Sequence, residues 1–556
     1  MPVPGLTIVR KDPAPVAQPG RADAALFAGL VGRRPAPIPP ALRGFLADGG
    51  WVPKLVPENG DSAAHRALLG LPVPVESWDE FAALYQWDGR PVEPGSSDTI
   101  PCNLGLALRS FFAEGGRKAY VVRTGDPLPL VDFGTETAPV DAAAFAAAKR
   151  NLLDGLGKVA LRRADARIPL LPGLVEPGNS PDPSQRDTWL GAAAILGVDD
   201  AAMLLLPDLI DLCGGRPERA QPEPVPPATA DAFKPCAPAL PAALPEKRLS
   251  RPEWRAPRLD RAGYARWAAA LGHVLEVLGR PRGPSHRRDV MLVGALPLPL
   301  ASAGLDSGEE RNPLLLLGES GAVIDKQVLF AAEQIGNARL QLAYPWIATE
   351  FSRRCPEAIE APDGAFAGLV AQRALGEGAF HAAAGLQPQS IRATLPVLSQ
   401  SDLTSNCEGS GWLGERLALF GTRYGTLTLL SDATMAHSRA WRPGGVSRLM
   451  NIVLRAARTM GQDRLFEPNS PELWGRLAGE MERFLDGLAQ RGALTGHSGE
   501  PPFEVTCDYS TMSQADLDAG RTIMKIGFTA AFPVERIEVA LSLMEPPATL
   551  PARQAA

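Results

Sequence analysis

Histidine and cysteine are the residue types that most often bind metals, and their spacing in this chain favours no metal site. The six histidines are never paired as HExxH or HxH: His65, His273, His286, His381, His437 and His497. The six cysteines lie far apart and never form CxxC: Cys102, Cys213, Cys236, Cys355, Cys407 and Cys507. Zinc sites and disulfide frameworks draw on close pairs of this kind. We therefore predict buried thiols and no metal-binding residues.

Motifs for nucleotide binding and for nucleophilic catalysis are also missing from the sequence. No GxxxxGK[ST] occurs, and no GxGxxG follows a strand and opens a helix. Gly318-Glu319-Ser320-Gly321 lacks the spacing of a nucleophile elbow. The acidic pairs Asp199-Asp200 and Glu309-Glu310 are typical of solvated turns. The sequence predicts no catalytic residue and no cofactor, but an unrelated soluble α/β enzyme stays open as an alternative.

Length and composition indicate a globular protein with several packed units. A chain of 556 residues is too long for one hydrophobic core and predicts two to four units. With 45% hydrophobic and 21% charged residues, it is too apolar to be mainly disordered. Its formal charge of −6 argues against a nucleic-acid partner. No apolar run approaches the roughly 20 residues that cross a bilayer, so we expect no membrane insertion and folding in the cytoplasm.

Hydrophobic periodicity predicts strands alternating with helices, and hence an α+β or mixed α/β multidomain protein. The predicted helices are 78–85, 105–116, 325–344, 446–460 and one from Ser470 to Gly492. The predicted strands are 118–123, 201–210, 289–295 and, in a C-terminal sheet half covered by helices, 503–507 and 537–543. Residues 214–258 are rich in proline without periodicity, which predicts a surface insertion or a linker.

Two β-prone segments lie near the two ends of the chain. Their candidate assembly residues are Leu6, Thr7, Ile8, Val9, Ile537, Val539 and Leu541. Such strands leave backbone donors and acceptors unpaired unless another strand joins them, and a neighbouring subunit could supply that strand. The alternatives are an N-terminal arm that pairs within its own chain or one that stays disordered.

Three stretches occur in an order that is typical of one protein family. The first, 109–123, is close to the pattern FFxNGGxxxYVVR, with Glu114 in place of Asn. The second runs from Tyr344-Pro345-Trp346 to the turn Ala361-Pro362-Asp363-Gly364 and an Ala-Gly pair at 367–368. The third begins with Phe466-Glu467-Pro468-Asn469 and continues to Glu535. Together with Pro4-Gly5-Leu6, these stretches resemble the contractile phage tail sheath proteins, including those of contractile injection systems.

The resemblance implies a structural subunit of a contractile sheath around an inner tube. Such sheaths form sixfold stacked rings in a helical array, assemble in an extended metastable state and contract without nucleotide hydrolysis. The implied partners are further copies of the chain, the inner tube protein, baseplate and terminator proteins and other sheath paralogues. The implied location is the bacterial cytoplasm during assembly and then a phage tail or tail-like particle.

The resemblance also implies a division of the chain. Residues 1–22 would form an extended arm, and 23–340 an outer α/β region that includes the insertion at 214–258. Residues 341–545 would form a C-terminal inner sheath domain of sheet plus helices, followed by a flexible tail at 546–556. Residues 407–445 depart from the usual glycine-rich pattern of the family. One alternative is therefore a minor sheath-like paralogue that forms a single terminal or baseplate-proximal ring.

A basic stripe is predicted on the helix at 446–460. Arg448, Arg455 and Arg458 share one helical face in a chain of net negative charge. The resemblance makes this stripe a candidate to face the tube. The alternative is an ordinary solvated helix face.

Overall fold

The computed structural model describes residues 22–51, 68–93, 96–131, 163–174, 180–182, 185–215, 254–279, 287–300, 337–399, 402–403, 406–407, 411–436, 438–496 and 501–531. The assembly residues predicted at 6–9 and at 537, 539 and 541 lie outside these ranges, as does most of the proline-rich stretch at 214–258.

An eight-stranded sheet forms the centre of the described structure. Its strands in chain order are β1 Ala25–Leu30, β2 Val73–Val75, β3 Ala119–Gly125, β4 Met203–Leu205, β5 Met291–Ala295, β6 Leu340–Tyr344, β7 Ala418–Arg423 and β8 Thr426–Asp432. They lie side by side in the order β8-β7-β6-β5-β4-β1-β3-β2. The strands from β7 to β3 in this order are mutually parallel, whereas the edge strands β8 and β2 are antiparallel to their neighbours.

The sheet is buried on both faces, as continuous apolar strands in a parallel sheet require. In β1, Leu26 and Ala28 belong to one hydrophobic core, whereas Ala25 and Phe27 belong to the core on the other face. The strands predicted at 118–123, 201–210 and 289–295 are confirmed as β3, β4 and β5, although β4 occupies only three residues of its predicted range.

Helices cover both faces of the sheet. They are α1 Pro40–Asp48, α2 Trp78–Leu84, α3 Asn103–Ala113, α4 Arg163–Leu170, α5 Leu209–Cys213, α6 Arg261–Gly279 and α7 Asp363–Gly376. The short 3₁₀ helices are Arg186–Thr188, Gly191–Gly197, Asn337–Arg339, Ser352–Arg354, Leu413–Glu415 and Arg439–Trp441. Helices α1, α2, α3 and α7 pack on one face. Helices α4, α5 and α6 and the 3₁₀ helix at 191–197 pack on the other.

A second packed unit follows the sheet and contains α8 Gly444–Asp463, α9 Pro471–Gln490, β9 Phe503–Thr506, α10 Gln514–Asp518 and β10 Lys525–Phe528. We call residues 444–531 the C-terminal unit. Ser470 Oγ accepts a hydrogen bond from Leu473 N at 3.4 Å, and Pro471 takes the first helical position of α9. The predicted apolar face of α9 is confirmed, since Met481 and Leu485 are fully buried against α8. Gly492, at φ +78°, ends this segment.

Two predictions about the middle of the chain need correction. The helix predicted over 325–344 is wrong for its final residues, because 340–344 form the buried strand β6. The predicted boundary at 340/341 falls inside the same strand, and the sheet takes strands from both sides of it. Small strand pairs complete the described structure: Gly32–Arg33 with Tyr85–Gln86, Arg90–Pro91 with Thr99–Ile100, Arg258–Leu259 with Leu298–Pro299, Trp346–Thr349 with Ile391–Leu395, and Asn406–Cys407 with Gly411–Trp412.

Candidate functional site

The first two family-like stretches meet where α7 packs on α3. A Cβ added at Gly364 would lie 2.1 Å from the carbonyl oxygen of Ala107, and one added at Gly368 would lie 2.5 Å from that of Phe111. No real Cβ contact is this short, so both positions need glycine for the two helices to approach each other. The Asp-Gly and Ala-Gly pairs of the second stretch therefore have a packing role.

Glu114, which replaces the usual Asn of the first stretch, organises the end of α3. Its side chain is buried, and its carboxylate accepts hydrogen bonds from the backbone N–H groups of Gln389 and Ser390, each at 2.8 Å. The hydroxyl of Ser390 donates to the same carboxylate at 2.5 Å. Three donors satisfy a carboxylate well. Glu114 thus fixes the chain just before the strand at 391–395.

Buried carboxyl groups fill the carboxyl-terminal edge of the parallel sheet. In open α/β sheets, ligands bind at this edge where neighbouring connections run in opposite directions, which here is between β1 and β4. Asp208 occupies that place and accepts a hydrogen bond from Leu30 N at 2.7 Å. A Cβ added at Gly29 would lie 2.2 Å from Asp208 Oδ2. Asp208 therefore occupies this position, beside a pocket whose lining includes Asp211, Glu360 and Asp363.

Burial changes the protonation of these groups. It raises the pKa of Asp208 to about 7, that of Glu360 to about 8 and that of Asp363 to about 6. Glu360 Oε1 accepts a hydrogen bond from the hydroxyl of Ser110 on α3 at 2.5 Å. Protonated at neutral pH, Glu360 joins the loop before α7 to α3 without burying a charge.

At the opposite, amino-terminal edge of the sheet, α8 is attached by two clusters of ion pairs. In the first, which we call the 432 anchor, Arg448 Nη2 lies 2.5 Å from Asp432 Oδ2 and Nη1 lies 3.1 Å from Oδ1. Gln341 Nε2 also donates to Asp432 at 2.7 Å, which brings β6, β8 and α8 together. The paired geometry and burial make this a strong, orientation-specific contact.

In the second cluster, the 289 anchor, three guanidinium groups share the carboxylate of Asp289. Arg455 Nε, Arg458 Nη2 and Arg287 Nη2 lie 3.0, 2.7 and 3.3 Å from its oxygens. Burial alone would raise the pKa of Asp289, but the charges of these three arginines outweigh burial and hold the pKa below its usual range. Asp289, with no exposed surface, therefore stays ionised and paired.

These anchors change how the predicted basic stripe is interpreted. The helix is confirmed, but the solvated-face alternative is wrong for Arg448 and Arg455, because each is only 5% exposed. Arg448 pairs with Asp432 and Arg455 pairs with Asp289. Arg458 pairs with the same carboxylate as Arg455. That the stripe also faces a tube stays a prediction. Sequence reasoning missed the partners of these arginines, Asp289 and Asp432. The one sequence signal for Asp289 is that it is a charged residue directly before a buried strand.

The chemistry-bearing residues of the described ranges form no metal centre. No group of three or more His, Cys, Asp or Glu side chains in these ranges could hold a metal ion. The described thiols of Cys102, Cys213, Cys355 and Cys507 are buried and belong to no disulfide bond. Burial raises the pKa of Cys102 to about 12, so this thiol stays protonated and unreactive. Among the described helices, none is both long and apolar enough to span a membrane.

Comparison with known proteins gives a likeness in structure. No family model and no curated protein matches the sequence. A chain in the structure of the anti-feeding prophage (AFP) baseplate in the contracted state matches with a TM-score of 0.53 and 17% identity, covering 98% of this chain and 99% of that one. In the sixfold-symmetrised AFP baseplate the TM-score is 0.50 at 15% identity, with 98% and 100% coverage.

The chain shares the fold of these AFP baseplate chains. The likeness extends over nearly the full length of both chains. A chain in the AFP helical sheath in the contracted state matches at a TM-score of 0.49 and 16% identity, covering 98% of this chain and 99% of that one.

Proposed function

We propose that this chain is a structural subunit of the contractile sheath that surrounds the inner tube of a phage-tail-like contractile injection system. The observation that carries the proposal is the shared fold along 98% of the chain with a protein of the contracted AFP baseplate. The three family-like stretches of the sequence also support it. Two of them form the α3–α7 contact, and the third forms much of the C-terminal unit. A sheath subunit assembles extended and drives the tube by contracting.

The proposed partners follow from this role. Copies of the chain would stack in sixfold rings around the tube protein, and the ends of the polymer would meet baseplate and terminator proteins or other sheath paralogues. The residues at 6–9, 537, 539 and 541 would supply strands that link neighbouring subunits. Assembly would take place in the bacterial cytoplasm, before the subunit becomes part of the particle. Mechanical work of this kind needs no bound cofactor.

Electron microscopy of the purified protein, alone and coexpressed with the tube protein encoded beside it, tests the proposal. We expect tubular polymers or stacked rings with sixfold symmetry. A monodisperse monomer that enters no particle in either condition would contradict a sheath role. Copy number separates the main role from the minor one, because a sheath contains many rings per particle and a baseplate-proximal paralogue contains a single ring.

A further inference from the structure

The loop between α8 and α9 presents two large apolar side chains to solvent. Phe466 is fully exposed, and Leu465 is 62% exposed. Phe466 also has a φ of +71°, a left-handed backbone conformation that bulky residues rarely adopt. Phe466 therefore combines a strained backbone conformation with a solvent-exposed aromatic ring. A glycine or asparagine at this position would relieve the strain. A strained bulky residue is therefore typical of a functional site, where the side chain itself is needed.

Ion pairs around Phe466 hold the loop in this conformation. Arg464 pairs with Glu467 at 3.1 Å and with Glu480 on α9 at 2.5 Å. Arg476 pairs with Glu467 at 2.6 Å. The loop is thus tied to α9 on both sides of the ring. The apolar centre therefore has a rim of paired charges.

Tyr509 extends the apolar surface at the same end of the C-terminal unit. It is 67% exposed and packs edge-on against Trp474, with ring centres 4.9 Å apart. Trp474 Nε1 donates to Asn469 Oδ1 at 2.6 Å, which connects this ring pair to the loop that carries Phe466. We call Leu465, Phe466 and Tyr509 the Phe466 patch.

We propose that the Phe466 patch binds a second copy of this chain in the assembled polymer. The inference rests on the proposed function and names one of its contact surfaces. Copies of a chain with a net charge of −6 repel one another, so a contact between them is favoured where the surface is apolar. The patch is such a surface, since Leu465, Phe466 and Tyr509 are all exposed.

The patch is large enough for a contact that is repeated in a polymer, but it is too small to hold a dimer of the free chain together. Its three side chains expose on the order of 450 Å², about half of the roughly 800 Å² that each partner buries in a standard stable interface. A contact this small holds only when other contacts act with it, as in a polymer of many subunits. We therefore expect no dimer of the free chain through this patch.

Replacing Phe466 with asparagine gives two effects of opposite sign. Phe466→Asn relieves the left-handed strain, so the melting temperature of the monomer stays the same or rises. The same change removes the central ring of the contact, so the concentration needed for self-assembly rises about tenfold or more. Phe466→Tyr keeps the ring and should assemble like the wild type. Sedimentation and electron microscopy measure assembly, and thermal unfolding measures the monomer.

Tyr424→Asn is the matched control, because Tyr424 is 94% exposed and has a φ of +51° at the tip of the β7–β8 hairpin. We expect it to assemble normally. Normal assembly of Phe466→Asn would overturn the proposal, as would equal loss in both variants. If Phe466→Asn polymerises normally alone but fails only with the tube protein, the second copy is the wrong partner. A wild-type chain that never assembles contradicts the proposed function instead.

Discussion

Asp289 is the residue on which the attachment of the C-terminal unit depends most. Three arginines converge on it, and two of them, Arg455 and Arg458, come from α8. Removing one member of a buried charge cluster leaves the others unpaired, which costs far more than the net contribution of the pair. The same reasoning means that replacing Arg448, Arg455 and Arg458 cannot test tube contact alone, because the change also breaks both anchors.

The first prediction concerns this carboxylate. Asp289→Asn keeps the shape but removes the charge, and we expect the free energy of unfolding to fall by about 3–5 kcal/mol. Urea unfolding measures the loss. The matched control is Glu467→Gln, which weakens the partly exposed pairs with Arg464 and Arg476 and should cost less than about 1 kcal/mol. Equal losses in the two variants would mean that the 289 anchor contributes no more to the free energy of unfolding than a partly exposed ion pair.

A second prediction at this scale concerns pH and Glu360. In the unfolded chain a glutamate ionises near its ordinary pKa of roughly 4.3, whereas burial raises the pKa of Glu360 to about 8 in the fold. Between these values only the unfolded state releases the proton, so stability is fully present below the lower pKa and falls as pH rises to the higher one. Glu360→Gln mimics the protonated group and should make this fall smaller.

Urea unfolding at about pH 5, 7 and 9 checks the dependence on Glu360. Some fall will remain in the variant, since burial also raises the pKa values of Asp208 and Asp363. Identical pH profiles for the variant and the wild type would show that Glu360 ionises as readily in the fold as in the unfolded chain.

Among the elements, the α3–α7 pair leads to a prediction about helix approach. Gly364→Ala places a methyl group 2.1 Å from a backbone oxygen that cannot move without shifting α3. We expect a loss of about 3 kcal/mol or more in the free energy of unfolding. Gly376→Ala at the other end of α7 has nothing within 4 Å and should be neutral or slightly stabilising. Equal stability of the two variants would contradict a close contact between the helices.

Elements with a strong local signal could be predicted from the sequence. Helix α9 combines Ser470 as a cap, Pro471 at the first position and an apolar stripe up to Leu488, and it forms as expected. Strand β6 could not be separated from a helix in the same way, because all five of its residues are buried and show no strand alternation.

The site was harder to predict than the elements. A helical stripe shows that Arg448, Arg455 and Arg458 share a face but not what covers that face. Their carboxylate partners lie 16 residues away for Arg448 and 166 away for Arg455. Only the folded sheet brings the edges of β5 and β8 to α8. The exposure of Phe466 is likewise a property of the fold.

For the whole molecule, the proposed strand links between neighbouring copies predict that removing the N-terminal arm prevents assembly but leaves folding intact. Removing residues 1–20 takes away few apolar side chains, so the melting temperature of the monomer should stay nearly unchanged. Each lost strand link removes several backbone hydrogen bonds of about 1 kcal/mol net, and the loss repeats around every ring. We expect no extended sheaths by electron microscopy. Equal polymerisation of the shortened and full-length chains would show that the arm contributes no link.

The 432 and 289 anchors also determine how force would pass from the C-terminal unit to the sheet. They attach α8 at positions roughly 10 to 15 Å apart along its axis. A body joined at one point can swivel, whereas a body joined at two separated points turns together with its support. In the proposed sheath role, torque across the axis of α8 would therefore be carried from the C-terminal unit to the amino-terminal edge of the sheet. If the proposed role holds, the movement of contraction would then lie mainly at the contacts between neighbouring copies.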